Sequence, residues 1–137
     1  MQLNKISLPV CLGILLAFCA CKHMSKDMKF KQELEQYTQK ECPRQMDSYT
    51  RMDSVCYDIE SRTRTEYYMV MNELDNDSIF ADKKLMEGFR EDLLKELKSS
   101  IQLKQYKDEG ITFRYIYRSL SSGKTKLELT FTPEDYN

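Results

Sequence analysis

Two alternating stretches, residues 51–71 and 111–131, bracket one long amphipathic stretch, and that order limits the fold more than any other feature of the chain. Successive side chains of a strand point to opposite faces, so a period of two marks strands with two distinct faces. Arg51–Asp58 reads as a strand with Val55, Tyr57 and Ile59 on one face and Met52 and Cys56 on the other. Thr63–Met71 sets Thr65, Tyr67, Met69 and Met71 against Glu66, Tyr68 and Val70, after a connection over Asp58–Arg62. Ile111–Arg118 sets Ile111, Phe113, Tyr115 and Tyr117 against Thr112, Arg114, Ile116 and Arg118. Ser121-Ser122-Gly123 signals a hairpin loop. Thr125–Phe131 then alternates Leu127, Leu129 and Phe131 with Lys126, Glu128 and Thr130, and Pro133 stops it.

Between the pairs, Asp82–Ser100 carries Met86, Phe89, Leu93, Leu94, Leu97 and Ile101 on one helical stripe. Gly88 inside it costs about 1 kcal/mol relative to alanine, which predicts a close approach of helix to sheet at that point. Residues 25–40 form a first helix with a narrower stripe of Phe30, Leu34 and Tyr37, and Pro43 ends it. Asn72–Ser78 is an acidic loop. Its Asp75 and Asp77 begin a calcium-loop pattern that fails at Ile79 and Phe80, so these acids are read as preceding a helix N-terminus. Leu103–Gly110 is read as a polar loop. The resulting fold class is α+β in the order α-β-β-α-β-β: a four-stranded antiparallel sheet with two helices packed on one face.

The N-terminus reads as an address. Residues 1–20 carry Lys5 and then an apolar run from Ile6 to Phe18, too short for the roughly 20 residues of a spanning helix but of signal-peptide length. The run ends in Phe18-Cys19-Ala20-Cys21, which resembles a bacterial lipobox, with the small Ala20 before Cys21. This resemblance implies a signal peptide over 1–20, lipidation of Cys21, a tether over 21–29 and a single domain over 30–137. Two or more acyl chains at roughly 0.8 kcal/mol per buried methylene hold a protein stably on a bilayer. The expected location is the cell envelope, lipid-anchored outside the cytoplasm, at the outer membrane or a periplasmic face.

Cys11 and Cys19 would leave with the signal, so Cys42 and Cys56 remain as an even pair in an oxidising compartment. Cys56 lies about 20 Å along its strand from the end that Cys42 precedes, farther than a disulfide spans, which favours two separate thiols. The 21 basic and 22 acidic residues nearly cancel, and this balance argues against nucleic acid as a partner. The one histidine, His23, falls in the tether, so no Ser-His-Asp or Cys-His constellation forms. No metal site or cofactor motif stands out.

Pro43, Asp47, Thr50-Arg51 and Asp53-Ser54 fit the pattern P-x-x-x-D-x-x-T-R-x-D-S, and Gly110-Ile111-Thr112, Tyr115 and Tyr117 fit G-[IV]-T-x-x-Y-x-Y. With Tyr68, Gly123 and Thr132-Pro133, this set resembles a family of small uncharacterised bacterial envelope proteins. The resemblance brings no activity with it. Read from the residues, Asp47, Arg51, Asp53, Tyr68, Arg114 and Tyr115 are the candidate recognition surface, because arginine suits bidentate carboxylate recognition; the same charges also serve cross-strand ion pairing. The expectation is a non-enzymatic envelope lipoprotein that binds or assembles with another envelope protein. The alternative is a periplasmic inhibitor or immunity-type protein that plugs an enzyme with Asp58–Arg62 or Ser119–Lys124.

Overall fold

The computed structural model describes residues 26–137. The lipobox, with Cys21, and Ser25, the expected start of the first helix, lie outside the described residues. Helix α1 covers residues 26–41 and ends just before Pro43. Residues 26–29, read above as the end of a tether, lie within it. There Asp27 is buried and accepts a hydrogen bond from the Tyr57 hydroxyl at 2.7 Å.

The sheet has five strands in chain order: β1 (Arg44–Gln45), β2 (Thr50–Asp58), β3 (Thr63–Val70), β4 (Thr112–Ser119) and β5 (Thr125–Phe131). It is mixed rather than antiparallel throughout. The pairs β1–β2, β2–β3 and β4–β5 are antiparallel, but β3 and β4 run parallel, with Thr63 opposite Thr112 and Val70 opposite Ser119. The reason lies in the connection between them. A 3-10 turn (Asn72–Leu74), α2 (Asp77–Ala81), α3 (Lys83–Ser99) and α4 (Lys104–Asp108) follow β3. The 17 residues of α3 span about 25 Å, close to the ~27 Å of the eight-residue β3. The helix thus carries the chain back along the sheet, and β4 starts at the same end as β3. Such a return makes a parallel pair, as in any strand–helix–strand crossover.

Five α-helices are described where two were expected. The stretch read as a polar loop contains α4, whose Tyr106 is buried against Phe30 and Phe113. Residues Pro133–Tyr136 form α5, started by a capping box of Thr132 and Asp135. Its Tyr136 hydroxyl donates to the Ile111 carbonyl at 2.7 Å. The long helix itself starts as expected: the Asp82 carboxylate caps it by accepting from the Leu85 amide at 3.1 Å.

All these helices cover one face of the sheet. Registered neighbours share a face, so Val55, Glu66, Tyr115 and Leu129 form one row and Tyr57, Arg64, Phe113 and Phe131 the next. Phe30 and Leu34 of α1, Leu97 of α3 and Tyr106 of α4 close the core over these rows. Met52 departs from the alternation read above: it lies in the core with Val55 and Tyr57, while Cys56 is exposed on the opposite face. A β-bulge between Met52 and Ser54 makes Asp53 an extra residue and shifts the phase by one. Where β1 ends, α1 covers the edge of β2. The Thr38 hydroxyl accepts from the Val55 amide (2.9 Å) and donates to the Val55 carbonyl (2.7 Å).

The helical stripe is buried only towards its C-terminal end. Leu97 is fully enclosed, but Phe89 is exposed and Ile101 falls beyond the helix end. Gly88 does not mark a close approach to the sheet, since a β-carbon placed there meets nothing within 4 Å. Gly88→Ala is therefore expected to raise the unfolding free energy by about 0.5–1 kcal/mol, read from urea midpoints at constant slope.

Candidate functional site

The sheet's core face holds a buried ionic group. Arg64 and Glu66, both on β3, are each less than a tenth exposed and form an ion pair. The Tyr68 hydroxyl donates to the other oxygen of Glu66. The Arg64 guanidinium sits over the Tyr106 ring, 5.4 Å from its centre. Burial and then the charge of Glu66 hold the Tyr68 phenol far above its ordinary pKa. A buried carboxylate needs its cation and its hydrogen bonds together, and here it has both.

Beside this group α3 stands off the sheet and leaves a groove of about 420 Å³. Tyr68 and Tyr117 form its floor, stacked at 5.0 Å and 12°. Phe80, Met86, Phe89 and Leu93 form the helical wall, and Phe89 meets Tyr117 edge-on at 5.4 Å. Met46 and Asp47 of the β1–β2 loop, with Thr50 at the start of β2, form the opposite rim. That rim is fastened. The Asp47 carboxylate accepts from the Tyr49 amide (2.7 Å), the Met71 amide donates to the Tyr49 carbonyl (2.9 Å), and the Asn72 side chain donates to the Ser48 carbonyl (2.8 Å). Apolar surface lies open at the mouth, where Met46 is 47% and Phe89 36% exposed.

The six residues singled out from sequence do not share one surface. Asp47 and Tyr68 line the groove. Arg51 and Asp53 form a bidentate pair (2.6 and 3.2 Å), and Arg51 sits on the face away from the helices. Arg114 lies on that same face beside Glu128 at 3.5 Å. Tyr115 is buried on the core face. The alternation of Arg114 and Tyr115 along β4 separates them by the thickness of the sheet. Sequence reasoning missed Met86, Phe89 and Leu93 as site residues because a helical stripe of apolar residues also describes a core helix, and Phe80 because in sequence it registers only as a break in the calcium-loop pattern.

Two other features bear on chemistry. Cys42 and Cys56 are free thiols, on opposite sides of the sheet. Desolvation first, and then Asp53 for Cys42 and Asp58 for Cys56, raise both above their ordinary pKa, so neither is an activated nucleophile. Among the described residues no cluster of three His, Cys, Asp or Glu could hold a metal ion. No described helix is long and apolar enough to cross a membrane.

Asp75 fastens the far end of the molecule. One of its oxygens accepts from the hydroxyls of Ser119 and Ser121, both at 2.8 Å, and from the Ser121 amide at 3.2 Å. Lys126 reaches both Asp75 and Asp77. The Ser121 and Ser119 hydroxyls, with Lys126 behind them, hold the Asp75 carboxyl below its ordinary pKa. A lowered folded pKa gives stability that is complete above the unfolded value and is lost as pH falls through the folded one. Asp75→Asn is thus expected to be less stable than the native chain at neutral pH, with the difference closing in acid; urea midpoints measured from neutral to acid pH check this.

A family model described as a domain of unknown function, DUF8479, matches residues 25–128. The chain belongs to the DUF8479 family. The match runs from α1 into β5, so the groove and the buried pair both fall inside the DUF8479 domain. No curated protein matches the chain in sequence. Solved structures share its fold. A candidate secreted protein from Pseudomonas aeruginosa superposes with a TM-score of 0.63 at 13% identity, covering 82% of this chain and 96% of that one. The pilotin EpsS of the Vibrio vulnificus type 2 secretion system gives 0.59 at 10% identity, over 86% and 97%. The type II secretion system pilotin AspS from Vibrio cholerae gives 0.58 at 13%, over 85% and 97%. At these identities the likeness is one of fold.

Proposed function

We propose that this DUF8479 protein is a non-enzymatic binding or assembly module of the bacterial cell envelope, anchored by lipid at Cys21, and that it takes an apolar segment of a partner protein into its groove. The observation that carries this reading is the groove itself: an aromatic floor, an apolar helical wall and a fastened rim, with large apolar side chains exposed at the mouth. Exposed apolar surface of this kind marks interaction sites on soluble domains. The lipobox-like sequence and a fold shared with two type II secretion pilotins support an envelope setting.

Phe89→Gln and Met86→Gln are expected to weaken capture of an envelope partner by the tagged full chain by roughly tenfold or more, the scale of losing an apolar anchor. Glu128→Lys on the opposite face is expected to leave capture intact. Equal capture by all three variants would overturn the reading. One observation favours the alternative of an inhibitor that inserts a loop: Leu120 is an exposed apolar residue in the β4–β5 loop, whose neighbours Ser119 and Ser121 are held by Asp75. That reading requires partner binding to depend on Leu120 and to be indifferent to Phe89.

A further inference from the structure

We infer that the partner segment carries a lysine or arginine among its apolar residues and that Glu96 of α3 receives it; this rests on the groove reading above. The residues lining the groove include two carboxylates, Asp47 and Glu96, and no cation. The Asp47 carboxylate already accepts from the Tyr49 amide, a bond that fixes the rim. Glu96 is exposed, and none of the ion pairs among the described residues uses its carboxylate. Glu66, deeper in the core, is matched by Arg64 and leaves no net charge for a ligand. Uncompensated negative charge thus stands at an otherwise apolar groove.

Its effect reaches the floor. Burial first, then the negative charge of Glu66, and then that of Glu96, push the Tyr117 phenol up. Glu96 is exposed at the edge of the groove, so its charge is open to an incoming segment: a cation carried by that segment is attracted and an anion repelled, on the scale of a solvent-exposed pair. Lysine and arginine suit such a place because their aliphatic stems can lie along Phe89 and Leu93 while the charged head reaches Glu96.

Selection from a displayed library of random peptides tests this on the full chain in detergent. Peptides of about 15 residues suffice, since a helix of that length spans about 22 Å. The native chain is expected to enrich apolar peptides bearing Lys or Arg, and Glu96→Lys to enrich apolar peptides bearing Asp or Glu instead. For one selected peptide, Lys→Glu should cost about fivefold to tenfold in affinity against the native chain, and the same change should improve binding to Glu96→Lys. Apolar peptides with no bias in charge, or a cation bias that survives Glu96→Lys, would overturn the inference and leave the groove reading standing. Enrichment no greater than that on Phe89→Gln would sink the groove reading itself.

Discussion

Glu66→Ala is expected to cost about 3–5 kcal/mol of unfolding free energy, since it leaves the Arg64 charge buried without its partner. For a domain of this size, with a total of about 5–15 kcal/mol, that is enough to leave much of the chain unfolded. The loss has two physical sources: Arg64 keeps a guanidinium over the Tyr106 ring with no counter-charge, and the Tyr68 hydroxyl loses its acceptor. Removing both charges is different. Arg64→Met and Glu66→Leu together with Tyr68→Phe replace the desolvated pair and the hydroxyl that depends on it by apolar contacts, and are expected to fall near the native stability or above it. Urea unfolding followed by circular dichroism separates these outcomes. A cost of Glu66→Ala below about 1 kcal/mol is what a solvated surface pair would give, and would contradict the buried pair.

Phe113→Ala is the second large effect, at about 3–5 kcal/mol, because the ring is fully enclosed and its removal leaves a cavity. The ring meets Tyr136 of α5 at 5.5 Å and Tyr106 of α4 at 6.5 Å, both edge-on, so the loss should also loosen the two short helices. Phe89→Ala is the informative contrast. The same change of residue type, made where the ring is partly exposed, should cost about 1 kcal/mol or less. Both phenylalanines fit an apolar alternation or stripe in the sequence, so the two measurements tell core from groove. A large cost at Phe89 would mean that α3 lies on the sheet there and that no groove exists.

How much was legible depended on whether a periodicity had one physical meaning. The strands over 63–71 and 111–118 could be read because alternation of that length has no helical counterpart, and the apolar stripe from Met86 to Leu97 announced α3. The direction of β4 could not, because a hairpin–helix–hairpin order allows either pairing until the length of α3 is set against that of β3. The place of Met52 was hidden by the bulge at Asp53, which leaves no mark in a row of mixed residues. Arg64 and Glu66 were hidden for a different reason. Charges two apart on a strand look like a solvent face, and only the sheet's middle position and the helices above it reverse that. The Arg51–Asp53 pairing was within reach of sequence reasoning. The groove was not, since its walls come from the β1–β2 loop, β3, α2, α3 and β4, which only the tertiary fold brings together.

The most direct test places a photo-reactive side chain singly at Phe89 in the groove, at Tyr67 on the opposite face and at Leu120 in the β4–β5 loop, in the full chain within native envelope membranes. The groove account predicts a crosslink to one partner protein from Phe89 and none from Tyr67 or Leu120. A crosslink from Leu120 or Tyr67, with none from Phe89, would contradict it.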